Sequence, residues 1–351
     1  MKKTIALVLA LLMCLALFAG CGKNGAASAD KPLVVGYSNF SSKFSPFFAE
    51  TAYDQDVSTM TAVALLETDR QGAVVEKGKT GETRPYNGTD YQYNGLADLT
   101  ITENDDGTVT YDFDLRDDVL FSDGEKLTAD DVIFSMYVLS DPTYDGNSTF
   151  FALPIVGMEE YRSGMTPLYE LLLEAGKDND DFSLWDEATQ TAFWDELDVA
   201  GEKFAQSIAD YCIANGYNAE DDPIAACAAN WGFELEDDAT AADFWAAIVE
   251  AYEGDIATAA DTEKADATLW SLMDNFDEYA KGVETGDSAP NIAGIEKTGD
   301  YSVRVTLSEV DATAIYQLGI VVAPLHYYGD TSKFNYDKNE FGFPNGDLST
   351  V

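Results

Sequence analysis

Apolar and polar positions along the chain fall into three patterns. Residues 4–18 are almost wholly apolar. Short alternating runs elsewhere predict strands and hairpins, while in residues 165–284 apolar positions recur every three or four residues, the helical period. Residues 31–37 (KPLVVGY) read as a first strand, and residues 60–66 form an apolar segment that fits either helix or strand. Residues 99–115 read as a hairpin. Val109, Tyr111, Phe113 and Leu115 share one face, and Asp106-Gly107 is a two-residue turn signal. Thr128 then caps a helix, with Asp131 three residues on as an acidic variant of the capping box. Val132, Ile133, Met136 and Leu139 form its apolar stripe, and Asp141-Pro142 ends it.

Residues 165–284 contain all five tryptophans, and between Arg162 and Lys281 the only cations are Lys177, Lys203 and Lys264. Phe193, Leu197, Phe204, Ile208 and Tyr211 mark one helix. Phe244, Ile248 and Tyr252 mark a second, behind Thr240 and Asp243, and Leu269, Leu272, Phe276 and Tyr279 a third. Aromatics at this spacing face inward, so the region reads as an acidic helical insert with its own core. Strand character returns at residues 292–296 and 301–307, flanking Gly299-Asp300, and residues 321–323 lead into Pro324. The end of the chain, up to Val351, is aromatic and Gly-rich without terminating character, so a longer protein is expected.

The apolar run at the start follows Lys2 and Lys3 and closes on Ala19-Gly20-Cys21, the charged, apolar and small-residue order of a secretory signal. It is shorter than the about 20 residues of a membrane-crossing helix. Phe18-Ala19-Gly20-Cys21 resembles a bacterial lipoprotein lipobox, with Phe where Leu is commoner. That resemblance implies a signal peptide over residues 1–20, lipidation of Cys21, and a flexible tether over residues 21–30.

Charge narrows the partners. The chain carries 20 Lys and Arg against 64 Asp and Glu, a formal net charge of −44. Such a surface repels nucleic acid. Hydrophobic residues at 46% and aromatics at 12% still provide a packed core. Cys14 leaves with the signal; Cys212 and Cys227 can pair outside the cytoplasm or sit as small buried apolar residues. The one histidine, His326, leaves no His-rich zinc site and weakens a Ser-His-Asp reading. Asp178-Asn179-Asp180-Asp181 lacks EF-hand spacing and its glycine, and reads as a solvated loop. No catalytic residue, metal or cofactor is assigned, and an enzyme is not expected.

Several stretches resemble the family 5 extracellular solute-binding proteins, the peptide, dipeptide and nickel binders of ABC importers. The most specific is residues 111–135, YDFDLRDDVLFSDGEKLTADDVIFS: Leu115-Arg116, Leu120-Phe121, Asp123-Gly124 and Leu127-Thr128-Ala129-Asp130-Asp131-Val132 hold the places of the family signature. Ser122 stands where the family often has His. Residues 157–164 (GMEEYRSG), 295–307 and 321–326 match further stretches, with Leu325 departing from the usual Lys or Pro. The resemblance implies an α/β, periplasmic-binding-protein-like class II fold of mixed sheets with helices. Residues 31–164 and 285–351 would form the solute-binding lobe, residues 165–284 the insert, and a second lobe would be incomplete.

The resemblance also implies an extracytoplasmic binding protein, lipid-anchored on the outer face of the cytoplasmic membrane, that delivers solute to ABC permease subunits. Peptide is the favoured solute; oligosaccharides and nickel chelates are the alternatives within the family. A surface sensor or adhesion protein using the insert is the reading from another class. The signature residues are expected to build scaffold, and the loop after the first strand to form one ligand wall: Ser38, Asn39, Phe40, Phe47, Tyr53 and Asp54. Main-chain groups there would pair with a peptide backbone between aromatic walls.

Overall fold

The computed structural model describes residues 34–351. The signal, Cys21 and the tether lie outside the described residues. Residues 34–41 belong to a first unit, separate from residues 42–351. The described part of the expected first strand, residues 34–37, is exposed and forms no strand. Val34 keeps 85% of its surface in solvent, and a run without a ladder partner has nothing to hold it extended.

The unit from Ser42 onward begins with helix α1 (Ala52–Thr61), capped where the Thr51 hydroxyl oxygen accepts from Asp54 N. Strand β1 (Val63–Ala64) follows at once. The ambiguous segment 60–66 is therefore both, a helix end and a strand. Strands β2 (Glu82–Tyr86) and β3 (Thr89–Tyr93) form a hairpin about Asn87-Gly88, both at positive φ. Strands β4 (Ala97–Glu103) and β5 (Val109–Leu115) pair with Leu99 opposite Phe113. Their connection is longer than the two-residue turn expected. Gly107 N donates to Asn104 O and Asn104 N to Thr108 O, which leaves a three-residue loop with Gly107 at φ +90°. A type I turn followed by a left-handed residue gives this shape, and glycine takes that conformation without a Cβ clash.

Helix α2 (Ala129–Ser140) carries the expected cap: Thr128 and Asp131 form a reciprocal capping box. Its burial is wider than a stripe, since every residue from Asp131 to Ser140 is buried. The short helix α3 (Met158–Arg162) leads into β6 (Met165–Pro167) and α4 (Leu168–Ala175). Helices α5 (Glu187–Ala214), α6 (Ile224–Trp231), α7 (Ala241–Ala251), α8 (Ile256–Glu263) and α9 (Phe276–Tyr279) follow. Strand β7 (Gly282–Glu284) then pairs with β6, Met165 opposite Glu284. The helices between these two strands bury a core of their own around Phe193, Phe204, Phe244 and Trp245. Trp185, Trp231 and Trp270 pack against it and Trp194 lies within it, so the five indoles are structural. Cys212 and Cys227 are both buried and unbonded, in one small apolar cluster with Ala209.

Strands β8 (Ile295–Gly299) and β9 (Ser302–Leu307) complete a four-stranded antiparallel sheet of order β4-β5-β9-β8. The chain continues through α10 (Ala314–Gln317), β10 (Val321–Val322), α11 (Leu325–Tyr328), β11 (Phe334–Asn335) and β12 (Glu340–Phe341). β10 returns to pair with β1. Helix α2 lies in the core formed by the inward residues of this sheet, among them Phe113, Val303 and Val305, together with Leu65, Phe150 and Leu325. Leu115 and Val132 are fully buried there and Phe121 packs against this core.

A helix buried on all sides must satisfy its polar side chains from elsewhere. Asp131 does so with both oxygens: Oδ2 accepts from Thr128 N at 2.8 Å and Oδ1 from Leu325 N at 2.9 Å. The Ser135 hydroxyl donates to Asp131 O and accepts from Ala323 N. Asp141, just past the helix, accepts from Thr143 N, Thr143 Oγ1 and Gly346 N. Truncating Asp131 leaves two N–H groups without this acceptor, the half-buried one of Thr128 and the buried one of Leu325. Asp131→Ala is therefore expected to lose about 3 kcal/mol of stability, against about 1 kcal/mol for the cap alone in Thr128→Ala. Denaturant unfolding of both variants checks this, and equal losses would contradict the tie from Asp131 to Leu325.

Candidate ligand groove

The segment between β5 and α2 folds into a tight turn that the family-like motif dictates. Phe121 N donates to Glu125 O, Gly124 N to Phe121 O, and Leu127 N to Val119 O. Gly124 sits at φ +95°, which a side chain would strain. The Asp123 carboxylate accepts from Glu125 N at 3.0 Å, and its Oδ2 lies 2.6 Å from His326 Nε2. The His326 ring packs edge-on against Phe121, 5.7 Å between centroids. One turn and one helix, 203 residues apart in the chain, are thus fastened together.

Between them lies a cavity of about 530 Å³. Its walls come from the 119–123 turn, the end of α1 with β1, the β10 segment and Pro324, and Tyr327 and Tyr328 of α11. Phe44 and Pro46 close one side. Leu120 and Tyr327 are held out at 56% and 76% exposure, while Tyr328 is anchored edge-on by Phe47 at 6.0 Å. Pro46, Ser58 and Val321 also line an adjoining hollow of about 230 Å³.

Val321 has a special place in the β1–β10 ladder. Val63 pairs with Val322 and Ala64 with Val321, and Leu65 N donates to Ile320 O. In an antiparallel pair, alternate residues exchange no hydrogen bonds and turn their polar groups outward. That parity places Val321 N–H and C=O on the side away from β1, and among the described residues neither has a hydrogen-bond partner. The residue at the junction of both hollows therefore offers one main-chain donor and one acceptor.

The six residues singled out from sequence are dispersed. Ser38, Asn39 and Phe40 lie in the exposed stretch before Ser42, with the Tyr37 and Phe40 rings 5.7 Å apart. Phe47 is a core residue at 4% exposure, edge-on to Phe134 at 5.9 Å. Asp54 is fully buried and accepts from the Thr51 hydroxyl at 2.8 Å, a helix-start role. Tyr53 is half-buried on α1. Of the three from the second unit, Phe47 lines the adjoining hollow, and none lines the larger cavity. The wall instead uses residues 119–123, which the sequence reading assigned to scaffold. The available signal was Leu120, an apolar residue in a turn rich in acids.

Electrostatics at the groove divide two carboxylates. The His326 hydrogen bond, helped by the Glu125 N–H, holds Asp123 below the usual carboxylate range. Burial pushes Asp131 up against the opposing hydrogen bonds from Leu325 and Thr128. Burial likewise raises the Tyr328 phenol. Among the described residues no group of His, Cys, Asp and Glu is arranged to hold a metal ion, and no helix is long and apolar enough to cross a membrane.

Residues 92–183 match the family model described as bacterial extracellular solute-binding proteins, family 5 Middle. This is the family that the sequence resembles, and the matched segment contains the 119–127 turn and helix α2. No curated protein and no solved structure matches the chain. The mixed helices and small sheets are consistent with a solute-binding-protein-like fold. The match supports a solute-binding role with an ABC transporter, outside the cytoplasm; domains of this family bind for transport and are not enzymes.

The Asp123–His326 contact has a pH signature. A carboxylate whose folded value is depressed stabilises above its unfolded value, about 3.9 for Asp, and loses that contribution as pH falls through the folded value. Asp123→Asn is expected to melt below the wild type at neutral pH, with the gap closing as the medium is acidified past that range. Parallel melting curves whose gap is independent of pH would contradict it.

Proposed function

We propose that this protein captures peptides outside the cell for an ABC importer, held on the outer face of the cytoplasmic membrane by lipid at Cys21. The observation that carries the peptide reading is Val321. An extended peptide laid along β10 would meet its outward N–H and C=O as an added strand, while the flanking hollows accept side chains on alternate sides. Aromatic and aliphatic walls from Leu120, Phe121, Tyr327 and Tyr328 favour apolar side chains. In this reading residues 31–164 and 285–351 form the binding lobe, residues 165–284 are an inserted helical body, and the permease subunits are the docking partners.

Calorimetric titration with mixed short peptides is expected to give saturable heat. Heat with oligosaccharides or nickel chelates and none with peptides would overturn the peptide reading. Val321→Pro removes the outward N–H at an edge position, where no ladder bond depends on it. It is expected to weaken peptide affinity about tenfold, the equivalent of one hydrogen bond. For the anchor, Cys21→Ala is expected to abolish metabolic labelling by palmitate; undiminished labelling would remove that part of the proposal.

A further inference from the structure

The cavity wall is chemically lopsided. Its lining is apolar or uncharged throughout, apart from Asp123. Among the described residues no lysine or arginine lines it. Asp123 is placed firmly rather than left to wander: one oxygen accepts from Glu125 N within its own turn and the other meets His326. It remains half exposed, with 48% of its side-chain surface in solvent, so one side of the carboxylate is available to a solute. Around this wall the chain has a net charge of −44, a field that draws cations in and keeps anions out.

An anionic group entering the cavity would lose its hydration without meeting a counter-ion, the costly case for a charge leaving water. A cationic group would meet Asp123, and its aliphatic stem would lie on Leu120, Val63 and Pro324, as the long stems of basic side chains do on apolar surfaces. The exposed Tyr327 ring adds a face that attracts cations.

We infer that this groove selects by charge: it takes peptides that combine an apolar side chain with a neighbouring basic one and rejects acidic ones, with Asp123 as the group that discriminates. The inference rests on the peptide reading above and narrows it to a substrate class.

The test uses the full chain and three synthetic tripeptides that share one Phe and differ at the next position, Lys, Gln or Glu. Affinities are measured by calorimetry at low and at physiological salt. The Lys peptide is expected to bind at least about tenfold more tightly than the Glu peptide, with the difference shrinking as salt screens it. In Asp123→Asn the Lys peptide is expected to fall to the level of the Gln peptide. The thermal melt of the variant identifies any loss that comes from unfolding, and Asp123→Glu is expected to restore part of the preference. Equal affinity for Lys and Glu peptides overturns charge selection while leaving peptide capture standing. A Lys preference that survives in Asp123→Asn assigns the effect to the overall field and overturns the role of Asp123. Absence of binding by all three, together with no heat from a mixed peptide pool, overturns the peptide reading and this inference with it.

Discussion

Helix α2 is surrounded by protein from Asp131 to Ser140, and the acceptors it carries must find donors inside the fold. That requirement governs how distant parts of the chain are placed. Asp131 reaches Leu325, Ser135 reaches Ala323, and Asp141 reaches Gly346. Two segments far along the sequence, around residues 323–325 and at Gly346, are pinned to one helix and its C-cap by main-chain N–H groups that would otherwise be buried without partners. Apolar packing supplies most of the driving force, but it does not choose a register. The directional bonds do, and they fix where β10 ends and α11 begins.

The groove follows from that placement. With Ala323 and Leu325 held on α2, β10 pairs with β1 in the one register that turns Val321 outward, and α11 carries His326 to Asp123 on the motif turn. The wall thus depends on a hydrogen-bond parity and on a glycine turn, both backbone properties. Main-chain recognition of this kind tolerates variation in the side chains of a ligand. Under the proposed function, that suits a protein that captures a class of solutes.

The acidic helical region has a different internal economy. Its aromatic residues fill one core around Phe193, Phe204 and Phe244, and several of its polar groups are matched locally, although Trp194 Nε1 and Glu196 Oε2 are buried without a hydrogen-bond partner. Gln190 accepts from Trp185 Nε1 and from Asn179 Nδ2, and Glu263 accepts from Trp231 Nε1 and Tyr252 OH. Two short paired strands, β6 and β7, bring its ends together. The acids on its outside therefore remain solvated, and the Asp178–Asp181 stretch is exposed apart from Asn179, which is half-buried.

Local chemistry settled a good share of the fold. The Thr128–Asp131 cap, the β4–β5 and β8–β9 hairpins and the helical period around Phe193 and Phe244 depend on neighbours within a few residues, so the sequence alone determined them. The β2–β3 hairpin carried an Asn87-Gly88 turn but alternated poorly, with Pro85 and charged residues in its strands, and was not read. The wall of the candidate groove belonged to the other class. Val321 is an ordinary valine until its ladder parity with Ala64 is known, and Asp123 is a turn residue until His326 arrives beside it. Phe47 and Asp54 carried the aromatic and acidic character of a site, yet long-range packing buried both. Period, cap and turn are written in short-range sterics, whereas which groups face a cavity is decided by pairings across hundreds of residues, and only the tertiary structure contains those.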